Sequence, residues 1–162
     1  MDKTTIDSEI KVILFRLGGQ LLGLQITHVR EVLKYQKPTP VPDSPLWVVG
    51  VLNVSGRILP VASLSDCLYG KTYDDANTSH LLNIDVDGQE VALTADEVTA
   101  IRTFPSELVT DPSGLASGIS SALVEGIIRP ENEQDSEVIL LIDPEKLVDR
   151  DLMEEVVSAE TV

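Results

Sequence analysis

The sequence is poor in positive charge, in aromatic rings and in cysteine. Its 162 residues hold 12 Lys and Arg against 27 Asp and Glu, a formal net charge of −15. A protein that neutralises phosphates needs basic patches, so nucleic acid is excluded as a partner. Docking on an anionic membrane surface is disfavoured for the same reason. Aromatic residues make up only 4% of the chain, so the core has to be aliphatic. The 19 Val and 12 Ile tilt that core towards strands. The lone Cys67 cannot form an internal disulfide. Small secreted domains lean on such bridges, so a reducing cytoplasm is the expected compartment. Residues 1–10 contain no apolar signal-peptide core, and no apolar run approaches the ~20 residues of a membrane helix. The two glycosylation sequons, Asn53-Val54-Ser55 and Asn77-Thr78-Ser79, are therefore read as chance.

Chemistry is as scarce as positive charge. No phosphate-binding glycine loop, nucleophile elbow or zinc-protease motif is present. His28 and His80 lack a neighbouring Cys or carboxylate at metal-ligand spacing, and both read as polar surface positions. Cys67 lies between Leu64 and Leu68 on an apolar helix face, which suits a buried, inert thiol. Asp85-Val86-Asp87-Gly88 resembles a fragment of a calcium loop, but apolar strands flank it where helices belong, so a plain turn is expected. The many carboxylates read as solvated surface. No catalytic, cofactor-binding or metal residue is assigned.

What is present is a succession of short apolar runs separated by turn chemistry. Hairpins are expected around Gly18-Gly19, around Ser55-Gly56-Arg57 (Val48–Val54 with Ile58–Ala62) and around Asp87-Gly88 (Leu81–Val86 with Gln89–Thr94). Glu97–Arg102 predicts a further strand, and Ala122–Arg129 with Glu137–Ile142 a last pair. Thr27 can cap a short helix over Val29–Lys34, Ser63 one over Leu64–Leu68 stopping at Gly70, and Asp143-Pro144 opens a helix running to about Val157. Pro38 to Pro45 holds four prolines and reads as a stiff connector, with a polyproline ligand as the lesser alternative. Residues 1–10 read as a flexible tail, 71–79 as a loop and 103–121 as a long mobile loop. This spacing suits small antiparallel barrels and not a parallel βαβ sheet. On the residues alone, the chain is a β-rich protein-interaction module.

Four stretches together resemble the CheW family, the coupling proteins of bacterial chemosensory systems. They are Phe15-x-Leu17-Gly18-Gly19-Gln20-Leu21-Leu22-Gly23-Leu24 with Val29-x-Glu31-Val32; Val41-Pro42-Asp43-Ser44-Pro45 with Val49-Gly50-Val51-Leu52-Asn53-Val54-Ser55-Gly56-x-Ile58-Leu59-Pro60-Val61; Ala92-Leu93-Thr94-Ala95-Asp96-Glu97-Val98; and Val124-Glu125-Gly126 with Val138 to Leu147. The likeness spans about residues 10–150. It implies a mainly β fold of two intertwined five-stranded SH3-like barrels over 11–150, with short helices and an acidic C-terminal helix end over 151–162. It also implies an adaptor without catalysis, cofactor or metal. The expected partners are the regulatory domain of a CheA-type histidine kinase, the cytoplasmic tip of a chemoreceptor and other CheW-like domains.

Carried over residue by residue, Glu31 and Val32 fall near docking surfaces, with a core position as the alternative for Val32. Asn53 and Gly56 match the N-x-R-G turn, where turn geometry is the preferred role of both. Val98 is a groove candidate, with core as its alternative. The chain departs from the family in having Ser55 where an arginine tied to the receptor–kinase interface is usual, and Ser63 and Ser65 where Asp and Arg are frequent. Arg57 follows two residues later, with its direction open. These departures put docking to a standard chemoreceptor in question and suggest a divergent system, such as one controlling surface or pilus-based motility. A kinase or ring modulator that couples no receptor, and more remotely a small-molecule-binding barrel or enzyme, are the alternatives. Residues 131–162 carry 11 acids against Lys146 and Arg150, so most of the negative charge belongs to that end.

Overall fold

The computed structural model describes residues 8–70, 74–112, 121–130, 137–147 and 157. Strands β1 (Glu9–Leu17) and β2 (Gln20–Gln25) pair across Gly18-Gly19, both at positive φ (59° and 84°), as a tight hairpin demands. β1 begins at Glu9, so Glu9 and Ile10, assigned above to the tail, are strand, and Ile10 packs on a core. Residues 1–7 lie outside the described residues.

The helix expected over Val29–Lys34 is instead strand β3 (Val29–Lys34), reached through a 3-10 turn at Ile26–His28. A helix of six residues has little stability of its own and forms only where capping and packing hold it. Antiparallel pairing with β6 (His80–Val86) satisfies the same backbone groups and suits the β-branched Val29 and Val32. β4 (Val48–Val54) and β5 (Arg57–Ala62) form the second hairpin. The proline connector lies along β4, where Thr39 and Val51 exchange two backbone hydrogen bonds of 2.9 Å. Gly50 permits that approach, since a Cβ there would stand 2.7 Å from the Thr39 carbonyl carbon.

Helix α1 (Leu64–Tyr69) is capped as expected. Ser63 Oγ accepts the Asp66 N–H at 3.2 Å, and Gly70 ends the helix in the left-handed region. β6 and β7 (Gln89–Ala95) meet across Asp87-Gly88, at φ 49° and 90°. β8 (Glu97–Pro105) outruns its expected end at Arg102. The expected loop at 103–121 is partly ordered as the end of β8, a 3-10 turn at Ser106–Leu108 and β9 (Val109–Thr110); residues 113–120 lie outside the described residues. β10 (Val124–Ile128) and β11 (Ile139–Ile142) pair, and Asp143 caps α2 (Pro144–Leu147) by accepting the Glu145 N–H at 3.0 Å. The expected continuation of that helix over 148–156, and the acidic end apart from Val157, lie outside the described residues.

The strands form two sheets, in the orders β8-β1-β2-β11-β10-β9 and β3-β6-β7-β5-β4. The chain lays down β1 and β2, builds the whole second sheet, then returns to complete the first. Each sheet curls around a small core of its own: Val12, Leu14, Phe104, Ile128, Ile139 and Leu141 in the first, and Leu52, Leu59, Val61, Leu81 and Ala92 in the second. Their opposite faces meet in a larger central core that joins Phe15, Leu17, Leu22 and Leu24 to Leu82, Ile84, Leu93 and Ala95. Strands such as β1 are therefore buried on both faces, which is why they read as unbroken apolar runs and do not alternate. This is the two-barrel architecture expected, with the two-residue β9 added to the first barrel.

Candidate functional site

The β4–β5 turn carries the Asn53-to-Gly56 motif on which part of the family resemblance rests. Ser55 (φ 52°) and Gly56 (φ 82°) both occupy the left-handed region, the signature of a two-residue hairpin turn that follows the sheet's twist. Asn53 Oδ1 accepts the Gly56 N–H at 3.1 Å. Asn53 and Gly56 thus serve the geometry of the turn, and Ser55 is left exposed at its tip.

Arg57, the first residue of β5, turns inwards. Its guanidinium bonds to Glu90 Oε1 and, at 3.0 Å, to Glu31 Oε1. Asn83 Nδ2 donates to the same two oxygens, at 3.1 Å to Glu31 and 2.8 Å to Glu90. Arg30 adds an ion pair to Asp85 at 2.9 Å, and Asp85 Oδ1 accepts the Gly88 N–H of the β6–β7 turn at 2.8 Å. Asn83 is fully buried, and both of its amide hydrogens are used. Partial burial alone would raise the Glu90 carboxyl. The hydrogen bonds from Asn83 and Arg57, reinforced by both guanidinium charges, outweigh that and hold it below the usual carboxylate range.

Val32 neighbours Glu31 on β3 and is 42% exposed, which removes the core alternative for it. Val98 lies on the other sheet, half-buried and packed against the central core, opposite Phe15 in register. The structure therefore joins Glu31 to Arg57, places Asn53, Ser55 and Gly56 in one turn beside them, and sets Val98 in the other barrel. Among the described residues, two more large apolar side chains face solvent: Leu46 at the end of the proline connector (85%) and Ile101 on β8 (55%). Sequence reasoning missed Arg30, Asn83 and Glu90, and read Asp85 only as part of its turn. The available signal was Asn83 itself, a polar residue inside the apolar run of β6.

The remaining candidates behave as structural groups. Asp85 to Gly88 forms a turn. Cys67 is half-buried, and desolvation, with the Asp66 charge, pushes its thiol up to about 11. His80 Nδ1 shares a 2.7 Å hydrogen bond with Ser79 Oγ. Among the described residues, no group of three His, Cys, Asp or Glu side chains is placed to hold a metal ion, and no helix is long and apolar enough to cross a membrane.

Comparison with known proteins agrees with this architecture. The CheW-like domain family model matches residues 11–152. The chain is 28% identical to the chemotaxis protein CheW of Bacillus subtilis over 142 residues, covering 87% of this chain and 88% of that protein. It is 31% identical to the protein FrzA of Myxococcus xanthus over 136 residues, covering 83% and 82%. Among solved structures, the scaffolding protein TtCheW of Thermoanaerobacter tengcongensis superposes with a TM-score of 0.76 at 27% identity, covering 86% of this chain and 88% of that one. The chain belongs to the CheW-like domain family of non-catalytic chemotaxis scaffold proteins.

Proposed function

We propose that this protein is a cytoplasmic adaptor that holds the regulatory domain of a CheA-type histidine kinase and the cytoplasmic tip of a chemoreceptor in one fixed geometry. The observation that carries this is the family match across residues 11–152, on a fold whose two barrels share one central core. A displacement at one docking surface can bias the other through that core. The proposed docking region takes in Glu31, Val32 and the Asn53-to-Gly56 turn with Arg57 behind them on the second sheet, and Val98 on the first sheet as a separate groove candidate; other CheW-like domains are further candidate neighbours. Titration of the full chain with each purified partner tests the proposal. Saturable binding to both is expected, and binding to neither overturns it.

A second role is favoured by one observation: Ser55, uncharged and exposed, stands at the turn tip where the family usually carries arginine. A modulator that occupies the kinase without coupling a receptor would show that pattern, and so would an adaptor serving a divergent motility system. Ser55→Arg adds receptor coupling in a kinase assay if the modulator role holds. Normal coupling by the wild-type protein rules the modulator out.

A further inference from the structure

The inner face of the second barrel is apolar at one end and charged at the other. Alternation along the strands sets Arg57 on the same face as Leu59 and Val61, Asn83 with Leu81, Glu90 with Ala92 and Glu31 with Leu33. The four polar side chains come from four different strands, β5, β6, β7 and β3, and close on each other at the end that carries the Ser55-Gly56 turn. Glu90 Oε1 is the hub, accepting from Arg57 and from Asn83 at 2.8 Å with Arg30 Nε 3.8 Å away.

Stability alone does not call for such a device, because ion pairs as open to solvent as that of Arg57 with Glu31 (side chains 39% and 35% exposed) add little to it. What an apolar plug cannot supply is directional attachment. Arg57 directly follows the turn, and Glu31 directly precedes Val32. One guanidinium therefore ties the two exposed elements of the proposed docking surface to each other.

We propose that Arg57 is a positioning residue and not a partner contact: with Glu31, Asn83 and Glu90 it locks the Ser55-Gly56 turn to β3, so that the turn tip and Val32 meet a protein partner as one rigid surface. The partner half of this proposal rests on the adaptor role given above, whereas the locking half does not.

The test is a double-mutant cycle on the full chain with Arg57→Gln, Glu90→Gln and both together. In the free protein, native-state amide exchange at Ser55, Gly56 and Val32 is expected to speed up by about tenfold in either single variant and no further in the double, while amides of β1 and β2 keep their wild-type rates. Affinity for the kinase regulatory domain is expected to fall by about the same factor in all three variants, with Arg57→Lys, which keeps the charge but not the fork, in between. Three outcomes overturn the proposal. Unchanged exchange at the turn and β3 removes the lock. Exchange that rises equally in both barrels reduces the network to general stability. A loss of affinity in Arg57→Gln with none in Glu90→Gln makes Arg57 a direct contact. If the wild-type chain binds no kinase domain, the adaptor role fails while the exchange measurements still decide the lock.

Discussion

Residue 55 separates what the turn needs from what a partner sees. Ser55 holds φ 52° and Gly56 holds φ 82°, so both central residues sit where an L side chain costs roughly 1–2 kcal/mol. Asn tolerates this region far better than Ser, and Asn-Gly is the favoured pair for such a turn. Ser55→Asn should therefore stabilise the protein by about 0.5–1 kcal/mol, or a Tm rise of about 1–4 °C in a chain of this size. Ser55→Val adds β-branching at positive φ and should cost about 1–2 kcal/mol. The side chain is exposed, so Ser55→Arg should leave stability within about 0.5 kcal/mol of wild type. Gly56→Ala isolates the backbone contribution: nothing lies within 4 Å of the added Cβ, so its cost of about 1 kcal/mol is conformational alone. Thermal unfolding at one fixed pH, followed by circular dichroism, measures all four. Equal Tm values for the Asn, Val and wild-type proteins would refute the positive-φ turn. If the order holds, a change in partner affinity in Ser55→Arg reports contact and not geometry.

Gly50→Ala should destabilise by about 1–3 kcal/mol in urea unfolding, because the added methyl collides with the Thr39 backbone rather than with a flexible side chain. Wild-type stability there would mean that the proline connector does not lie against β4. The Cys67 thiol, raised from 9.0 to about 11, should react with a disulfide reagent roughly 100-fold more slowly in the native protein than in urea; equal rates would contradict its burial. Glu90 titrates below its unfolded value, so its ionised form stabilises the fold above the ordinary glutamate range, and that contribution fades as pH falls through the folded pKa. The stability gap between wild type and Glu90→Gln should accordingly be largest near neutral pH and close under acid. A gap that widens under acid would reverse the sign of the argument.

The features legible in the sequence are those whose physics is local. Gly18-Gly19, Asp87-Gly88 and Ser55-Gly56 mark turns because the left-handed region selects glycine and its neighbours, and all three are turns. Ser63 and Gly70 bound α1 for the same kind of reason. Val29–Lys34 failed because Thr27 with Val29, Val32 and Leu33 fits a helical template, whereas the deciding partner, β6, lies some fifty residues away. Distance in sequence also hid the charged cluster. Glu31, Arg57, Asn83 and Glu90 come from four strands, and no spacing rule brings them together. The order of the two sheets was beyond strand counting; the family resemblance implied two intertwined barrels, and which strand joins which barrel needed the coordinates. Asn53 and Gly56 were assigned correctly to turn geometry, while the direction of Arg57 needed coordinates.

The most direct measurement is reconstitution of kinase activity from three purified components: receptor cytoplasmic fragments in ordered assemblies, the CheA-type kinase and the full chain. An adaptor predicts that receptor-dependent control of autophosphorylation appears only when the chain is added, saturates with it, and is lost with Val32→Asp in a protein of unchanged Tm. Receptor control that is identical with and without the chain, under conditions where the chain is folded and in excess, would contradict it.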